Sequence, residues 1–364
     1  LTEDNTIAFN LGATIMTQNI LSTMEGFLTW GWNAEEGSVF RGTLRYNGLG
    51  VNLWVNGTYG GKQMIHTVYA LSDDNRITYP LPPKRGRYYS IGAGATLPLL
   101  LQRGYHTQQF ALSASWRYSN GMVANVDKIV IRNGKISNFN TIGYSEGLHT
   151  LQFGVTFQDF VRQAHRDFLP PWGVVLSANY ALNPTTDSFG DLAVLYGKLY
   201  TPGFGKHHSL SVAASYQTSI GGFDSDVVLS GLTFRSTRLV PRGFSSLDIN
   251  NDHYVATSLN YQLPLWYPDG GIRGIIYFKR LRLNLGADYA SFNNVRSFTA
   301  DGLKINKREY IGAYGGDLTL DLNLFGMPSA ATMAATISLY YKHSPANPKT
   351  NGKMYISFGV GLPF

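Results

Sequence analysis

The chain has 364 residues, of which 44% are hydrophobic and only 15% are charged, with a formal net charge of +7 and no cysteine. A soluble protein averages about 25% charged residues, so this chain has few charged residues for its surface. No apolar run approaches the ~18 residues of a membrane-spanning helix. Disulfide and thiol chemistry are excluded, and the positive charge suits lipid headgroups and nucleic acid equally.

Apolar and polar residues alternate through most of the chain, which is the pattern of β-strands with one apolar face. Predicted strands cover residues 7–15, 28–32, 38–46, 89–97, 110–118, 151–158, 173–181, 190–200 and 208–218, another opens at Val51, and later ones include 283–289, 318–324, 335–341 and 354–364. Two polar stretches, about 61–85 and 120–145, break the alternation and are predicted to be long loops.

The polar side of each predicted strand carries glycine, serine, threonine, asparagine and glutamine rather than the long charged residues that cover a soluble sandwich. Such residues line a crowded, hydrated lumen, whereas the leucine, valine, isoleucine and phenylalanine of the other side suit a lipid-facing belt. The sequence therefore predicts an all-β fold, a transmembrane antiparallel up-and-down β-barrel of about 16 strands. The last strand ends on the aromatic residue Phe364 and so resembles the signature of outer-membrane proteins, which implies a location in the bacterial outer membrane.

The predicted strands number about fifteen, whereas a closed single-chain barrel normally has an even number. Counted back from the C-terminus, the strand at 7–15 runs inwards from the outer face, so we expect a first strand before Leu1 or a misread loop. Residues 1–5 lack the basic start of a signal peptide, and we expect a processed or truncated piece. Residues 1–364 are predicted to form one barrel domain, with any periplasmic domain upstream.

The closing strand carries the residues of a candidate lateral seam, the junction between the last and first strands. Gly359, Gly361 and Pro363 share one side of this strand, which ends at Phe364. Glycine weakens a strand and proline has no N–H for the ladder, so the seam is predicted to be weakly paired. A second interpretation, that the glycines relieve crowding in a curved strand, stays open.

A candidate anchor lies in the long connection before residue 251, in the run Val240, Pro241, Arg242, Gly243 and Phe244. Proline restricts φ and glycine tolerates positive φ, so the run can form a sharp bend that presents the arginine. Asp288 falls on the polar side of a later strand and is a candidate partner for it. The alternative is a surface turn with a solvated arginine.

This run, the strand that ends at residues 261–269 and the Gly-Ala-Asp strand at 286–288 resemble the C-terminal half of the BamA superfamily barrel, also called the bacterial surface antigen family. The segments 166–173, 200–208 and 277–282 resemble the branch in which a TolB-like propeller precedes the barrel. The resemblance covers about 148–364 and implies that the loop folds into the lumen, where Arg242 pairs with Asp288. It departs at Asn260, where the family has an acidic residue.

Motifs for catalysis are missing from the sequence, which has no Gly-x-Ser-x-Gly elbow, phosphate loop or HExxH. We therefore expect no enzyme, no catalytic residue and no cofactor. His207 and His208 are adjacent and point to opposite faces of a strand, so no metal site is expected. Asp288, Asp317 and Asp321 are interpreted as ordinary lumen carboxylates.

Three functions are consistent with the sequence. The first is a BamA-like barrel that takes part in the insertion, assembly or translocation of outer-membrane or surface proteins by edge pairing at the seam. The second is a plugged barrel that anchors a periplasmic propeller or another partner, and the third is a diffusion porin, which an inward loop disfavours. Expected partners are outer-membrane lipid including lipopolysaccharide, client proteins and periplasmic or lipoprotein accessory subunits, but no nucleic acid.

Overall fold

The computed structural model describes residues 11–21, 23–33, 37–71, 78–80, 84–120, 125–132, 135–142, 148–164, 167–184, 191–220, 239–244, 253–272, 274–298, 304–324, 332–348 and 350–361. Over these ranges every regular element is a β-strand. No helix in this part of the chain is long and apolar enough to cross a membrane.

The described residues contain nineteen strands in a single sheet. They are β1 (Leu11–Gln18), β2 (Met24–Asn33), β3 (Gly37–Tyr46), β4 (Asn52–Leu71), β5 (Thr78–Pro80), β6 (Lys84–Arg103), β7 (His106–Ser119), β8 (Asn125–Arg132), β9 (Lys135–Ile142), β10 (Leu148–Val161), β11 (Gly173–Leu182), β12 (Asp191–Pro202), β13 (Ser209–Ile220), β14 (Tyr254–Trp266), β15 (Gly270–Ile272), β16 (Ile276–Phe298), β17 (Lys304–Leu324), β18 (Met333–His343) and β19 (Met354–Gly361).

Four of these strands, β5, β8, β9 and β15, are accessory, and the other fifteen pair antiparallel in chain order from β1 to β19. Successive strands reverse direction, so consecutive connections alternate between two ends. We call the end where Gly104 and Tyr105 join β6 to β7 the short-turn end and the other the long-loop end. This up-and-down succession agrees with the predicted barrel of about sixteen strands.

Exposure in the sheet is inverted relative to a water-soluble protein. On β13, Ser211, Ser215 and Gln217 are buried, whereas Val212 is 42% exposed. Large apolar residues are exposed on most long strands, among them Leu28, Phe40, Val55, Ile91, Leu112, Phe153, Leu176, Leu195, Leu259, Leu285, Leu318, Ile337, Ile356 and Phe358. The predicted fold class, an all-β antiparallel barrel with a polar inner face and an apolar outer face, is confirmed.

The prediction of two long loops, at about 61–85 and 120–145, is wrong in part. β4 continues to Leu71 and β6 begins at Lys84, so the stretch 61–85 is mostly paired backbone. Within 120–145, β8 and β9 form a hairpin, and β8 pairs parallel with the end of β4. In the sequence of these segments apolar and polar residues are mixed on both sides of the strand, so the alternation disappears while the hydrogen-bonded ladder continues.

Among the fifteen strands that form the up-and-down succession, two have a single neighbour in the described part of the chain. There β1 pairs only with β2, and β19 pairs only with β18. An added Cβ at Gly359 or Gly361 would meet no atom within 4 Å. Residues 7–10 of the first predicted strand, Pro363 and Phe364 lie outside the described residues.

Candidate functional site

The Arg242 loop, residues 239–244, lies against the inner face of the sheet. Leu239 and Phe244 pack on a buried cluster formed by Tyr254, Ala256, Ala290, Phe292 and Ile311 of β14, β16 and β17. The N–H of Phe244 donates to the carbonyl of Pro241 over 3.1 Å, and Gly243 has φ of +77°. This tight turn needs the glycine because a side chain is strained at positive φ.

The turn directs Arg242 at Asp288 of β16. The backbone N–H of Arg242 donates to Asp288 Oδ2 over 3.0 Å, and Arg242 Nε lies 3.6 Å from the same oxygen. The side chain of Asp288 is 4% exposed and that of Arg242 is 27% exposed. A carboxylate so far removed from water is stable only when its lone pairs are satisfied, and Ser258 of β14 satisfies the second oxygen over 2.6 Å.

Two further groups hold the guanidinium. Arg242 Nη1 donates to the hydroxyl of Tyr340 on β18 over 2.6 Å, and the guanidinium carbon lies 4.9 Å from the centre of that ring. Arg242 Nη2 donates to Asn260 Oδ1 on β14. Asp317 of β17 accepts from Tyr340 over 2.7 Å. One loop residue is thereby connected to four neighbouring strands.

Asn260 stands where the resembling family carries an acid, and the sequence left its role in doubt. Its oxygen accepts from Arg242 and from Asn284 Nδ2, the latter over 3.2 Å, and its own nitrogen donates to Ser258 over 3.0 Å. Asn284 also donates to Asp317 over 2.8 Å. The Asn260 amide therefore links the charged guanidinium of Arg242 to Ser258 and Asn284 in one continuous hydrogen-bonded network.

Gly286 and Tyr340 belong to this site, although sequence analysis did not select them. A Cβ on Gly286 would overlap Arg242 Nη1 and lie 2.9 Å from the Tyr340 hydroxyl. A glycine inside a strand often marks close approach of another group, and this was the available signal. Tyr340 carried no sequence signal apart from its position on the polar side of its predicted strand.

Replacing Tyr340 with phenylalanine is expected to destabilise the barrel by about 1–2 kcal/mol, since the hydroxyl links Arg242 to Asp317 and both lose a partner. The ring packing would remain. Urea unfolding in lipid vesicles would measure the change, with Tyr105→Phe, which alters an exposed tyrosine at the short-turn end, as the matched control. Equal midpoints for the two variants would contradict the network.

A second ionic cluster occupies the inner face at the short-turn end. Asp321 of β17 is 1% exposed and lies 2.5 Å from Arg280 Nε and 3.3 Å from Arg282 Nε. Phe168, from the connection between β10 and β11, stacks on Arg280 with 4.6 Å from guanidinium carbon to ring centre. Because β10 and β16 are several strands apart, this contact reaches across the curved sheet.

The two adjacent histidines have separate partners. His207 Nδ1 lies 2.9 Å from Asp167 Oδ1, which joins two connections at the short-turn end, and His208 Nδ1 lies 2.7 Å from the Tyr261 hydroxyl. No group of three metal-ligating side chains occurs among the residues that the structure describes. The three lumen aspartates likewise contact different partners.

The fold and this site define an up-and-down β-barrel with an arginine-bearing loop on its inner face. No protein-family model matches the chain, and no curated protein matches its sequence. Among solved structures, it is similar to BamA from Haemophilus ducreyi lacking POTRA domains 1–3, with 13% identity and a TM-score of 0.49 over 97% of this chain and 67% of that one.

Two further structural similarities extend over nearly the whole chain. CdiB from Acinetobacter baumannii is 11% identical, with a TM-score of 0.48 over 99% of this chain and 57% of that chain. The outer membrane transporter YddB from Escherichia coli is 12% identical, with a TM-score of 0.35 over 92% of this chain and 45% of that one. The present chain is thus shorter than each of the three.

Proposed function

We propose that this protein lies in the outer membrane of a Gram-negative bacterium, in contact with lipid that includes lipopolysaccharide. The support is the exposure of its outer face, where Ile356 and Phe358 of β19 are 70% and 72% exposed. So many large apolar residues facing water would be strongly unfavourable, whereas the same face is stable against acyl chains.

We further propose that the barrel is BamA-like and takes part in the insertion, assembly or translocation of outer-membrane or surface proteins. The observation that carries this is the pair of free edges, since within the described residues β1 and β19 each have one neighbour. An unmet backbone group in a bilayer costs several kcal/mol, so such an edge favours a partner strand.

The glycines of β19 support a weakly paired seam rather than relief of crowding, because added Cβ atoms at Gly359 and Gly361 would meet open space. At the lateral seam, Pro363, which precedes Phe364, has no N–H to donate to a neighbouring strand. A client strand could then pair with the exposed backbone by β-augmentation.

Locking the seam tests this activity. The chain has no cysteine, so Thr14→Cys in β1 and Ser357→Cys in β19 would be the only thiols, and bifunctional reagents of graded length can join them. We expect loss of growth and of outer-membrane protein levels in the producing cells once the edges are joined, with recovery when a cleavable reagent is reduced.

The matched control is Thr14→Cys with Thr29→Cys, which joins β1 to its existing neighbour, where the two hydroxyl oxygens are 3.2 Å apart. This second link leaves the seam free and is expected to have no effect. Normal growth with a fully locked seam would show that lateral opening is not the function.

The second candidate, a plugged barrel that anchors a periplasmic propeller, a lipoprotein subunit or another partner, is favoured by a different observation. Arg242 and Phe168 both reach across the inner face, from opposite ends. A lumen filled in this way is unsuited to a diffusion porin. Ion conductance across a planar bilayer would indicate a porin. Capture of a partner that continues when the seam is locked would indicate an anchor.

A further inference from the structure

A polar pocket lies on the inner wall formed by β2, β3, β4 and β6, on strands that the Arg242 loop does not contact. Its volume is about 410 Å³, and its principal lining residues are Glu25, Arg45, Asn47, Asn52, Trp54 and Asn56. Small-molecule sites commonly have volumes of roughly 300–1,000 Å³. The pocket is large enough for a ligand of two or three rings.

The floor of this pocket is the indole of Trp54. A Cβ on Gly94 would lie 2.6 Å from Trp54 Cε2 and Cζ2, and one on Gly92 would lie 3.5 Å from Cζ3. Gly94 of β6 thus leaves the space that the indole occupies beside the neighbouring strand, whereas a Cβ on Gly92 would first meet Asn56 Oδ1, at 2.8 Å. Trp54 also lines the pocket, where its indole can serve as an aromatic platform for a ligand.

The polar groups around this platform have no partners of their own. In the described part of the chain, no hydrogen bond is formed by the side chains of Glu25, Asn47, Asn52 or Asn56, and Arg45 only approaches the Phe27 ring at 5.8 Å. The groups around Arg242 satisfy one another, whereas Arg45, Asn47 and Asn52 are exposed, and their donors and acceptors are open to water or to a ligand. Each amide offers both.

The chemistry of the lining favours a sugar over a polypeptide strand. The backbone here is already paired, with Glu25 opposite Arg45, Thr43 opposite Asn56 and Asn52 opposite Thr96. A peptide therefore has no edge to join, and recognition must use side chains. Hydroxyl groups both donate and accept, as side-chain amides do, and the C–H face of a sugar ring matches a flat indole.

We propose that this pocket binds a short glycan segment, with one sugar ring stacked on Trp54 and its hydroxyls bonded to the surrounding amides, Glu25 and Arg45. This site is separate from the seam and does not depend on lateral opening. Gly94 is a positioning residue because the absence of a side chain there leaves the space that the indole occupies.

The test uses the full chain in a detergent without a sugar headgroup, titrated with chitotetraose and with maltotetraose by calorimetry. At least one is expected to bind saturably, and Trp54→Ala should weaken its affinity tenfold or more. Gly94→Ala should weaken it several-fold, since it displaces the indole and removes no polar group. Trp172→Ala, which alters a tryptophan 55% exposed at the short-turn end, should bind like the wild type.

Heat-modifiable gel mobility verifies that each variant is folded, and Asn56→Ala replaces Trp54→Ala if the latter is not. Absence of saturable binding by both sugars overturns the proposal, as does unchanged affinity in the Trp54 and Gly94 variants. An extended polar octapeptide serves as the competing probe. Its binding in place of the sugars, with loss in Trp54→Ala, would assign the pocket to polypeptide instead.

Discussion

Replacing Arg242 with alanine is expected to lower the free energy of unfolding by about 3 kcal/mol, the lower end of the range for breaking a buried ion pair. The variant leaves Asp288, which is 4% exposed, with hydrogen bonds but no counter-charge. Urea unfolding in lipid vesicles and the temperature of the heat-modifiable shift measure the loss. Arg117→Ala is the matched control, because exposed Arg117 has no side-chain partner among the described residues.

Gly286→Ala provides an independent check of the same geometry. Its new methyl group would occupy the position of Arg242 Nη1, so the guanidinium must leave its partners, and we expect a loss of about 1–3 kcal/mol. In the double variant with Arg242→Ala the methyl group meets no guanidinium and only the Tyr340 hydroxyl stays close, at 2.9 Å, so Gly286→Ala should add less than it costs alone. Additive losses would mean that the arginine does not occupy this position.

Replacing Asp321 with alanine is expected to cost about 3–5 kcal/mol, because Arg280 and Arg282 then face each other without a counter-charge. The side chains of Arg280 and Arg282 are only 17% and 21% exposed. The same unfolding measurements apply, and Asp321→Asn, which keeps an acceptor oxygen, should lose less.

Glu25→Ala is the control for this prediction, since it removes a lumen carboxylate that has no partner in the described part of the chain. Its effect should be within about 0.5 kcal/mol. If Asp321→Ala and Glu25→Ala shift the unfolding midpoint equally, the cluster around Asp321 is not a source of stability.

Sequence alternation predicted the strands that have one apolar and one polar face, and β13 and β19 are examples. In those strands the outer residues, such as Val212 and Phe358, are large and apolar while the inner ones are small or polar. Alternation did not predict β8, β9 and the ends of β4 and β6, because apolar and polar residues are mixed on both sides of these strands, as Val126 and Ile129 show in β8. There only backbone pairing defines the strand. Period-two hydrophobicity reports burial against lipid, not hydrogen bonding.

The residues around Arg242 show a second limit. The alternation of residues along a strand shows on which face Asp288 and Tyr340 lie. Whether both contact Arg242 depends on the register of four strands and on the path of the loop. A shift of one residue would turn each side chain to the other face. Single-sequence patterns carry no information on register, so Asn260, Asn284 and Tyr340 could be assigned partners only from the structure.

The span of the loop contacts also implies an order of folding. Nearly every strand pairs with one close to it in sequence, so the sheet can grow one hairpin at a time at a small cost in chain entropy. The bond from Arg242 to Tyr340 joins residues 98 positions apart, and that from Lys342 to Gly243 joins residues 99 apart. The loop can therefore form all of its contacts only after β18 has paired. It then stabilises a barrel in which nearly all strands are already in place.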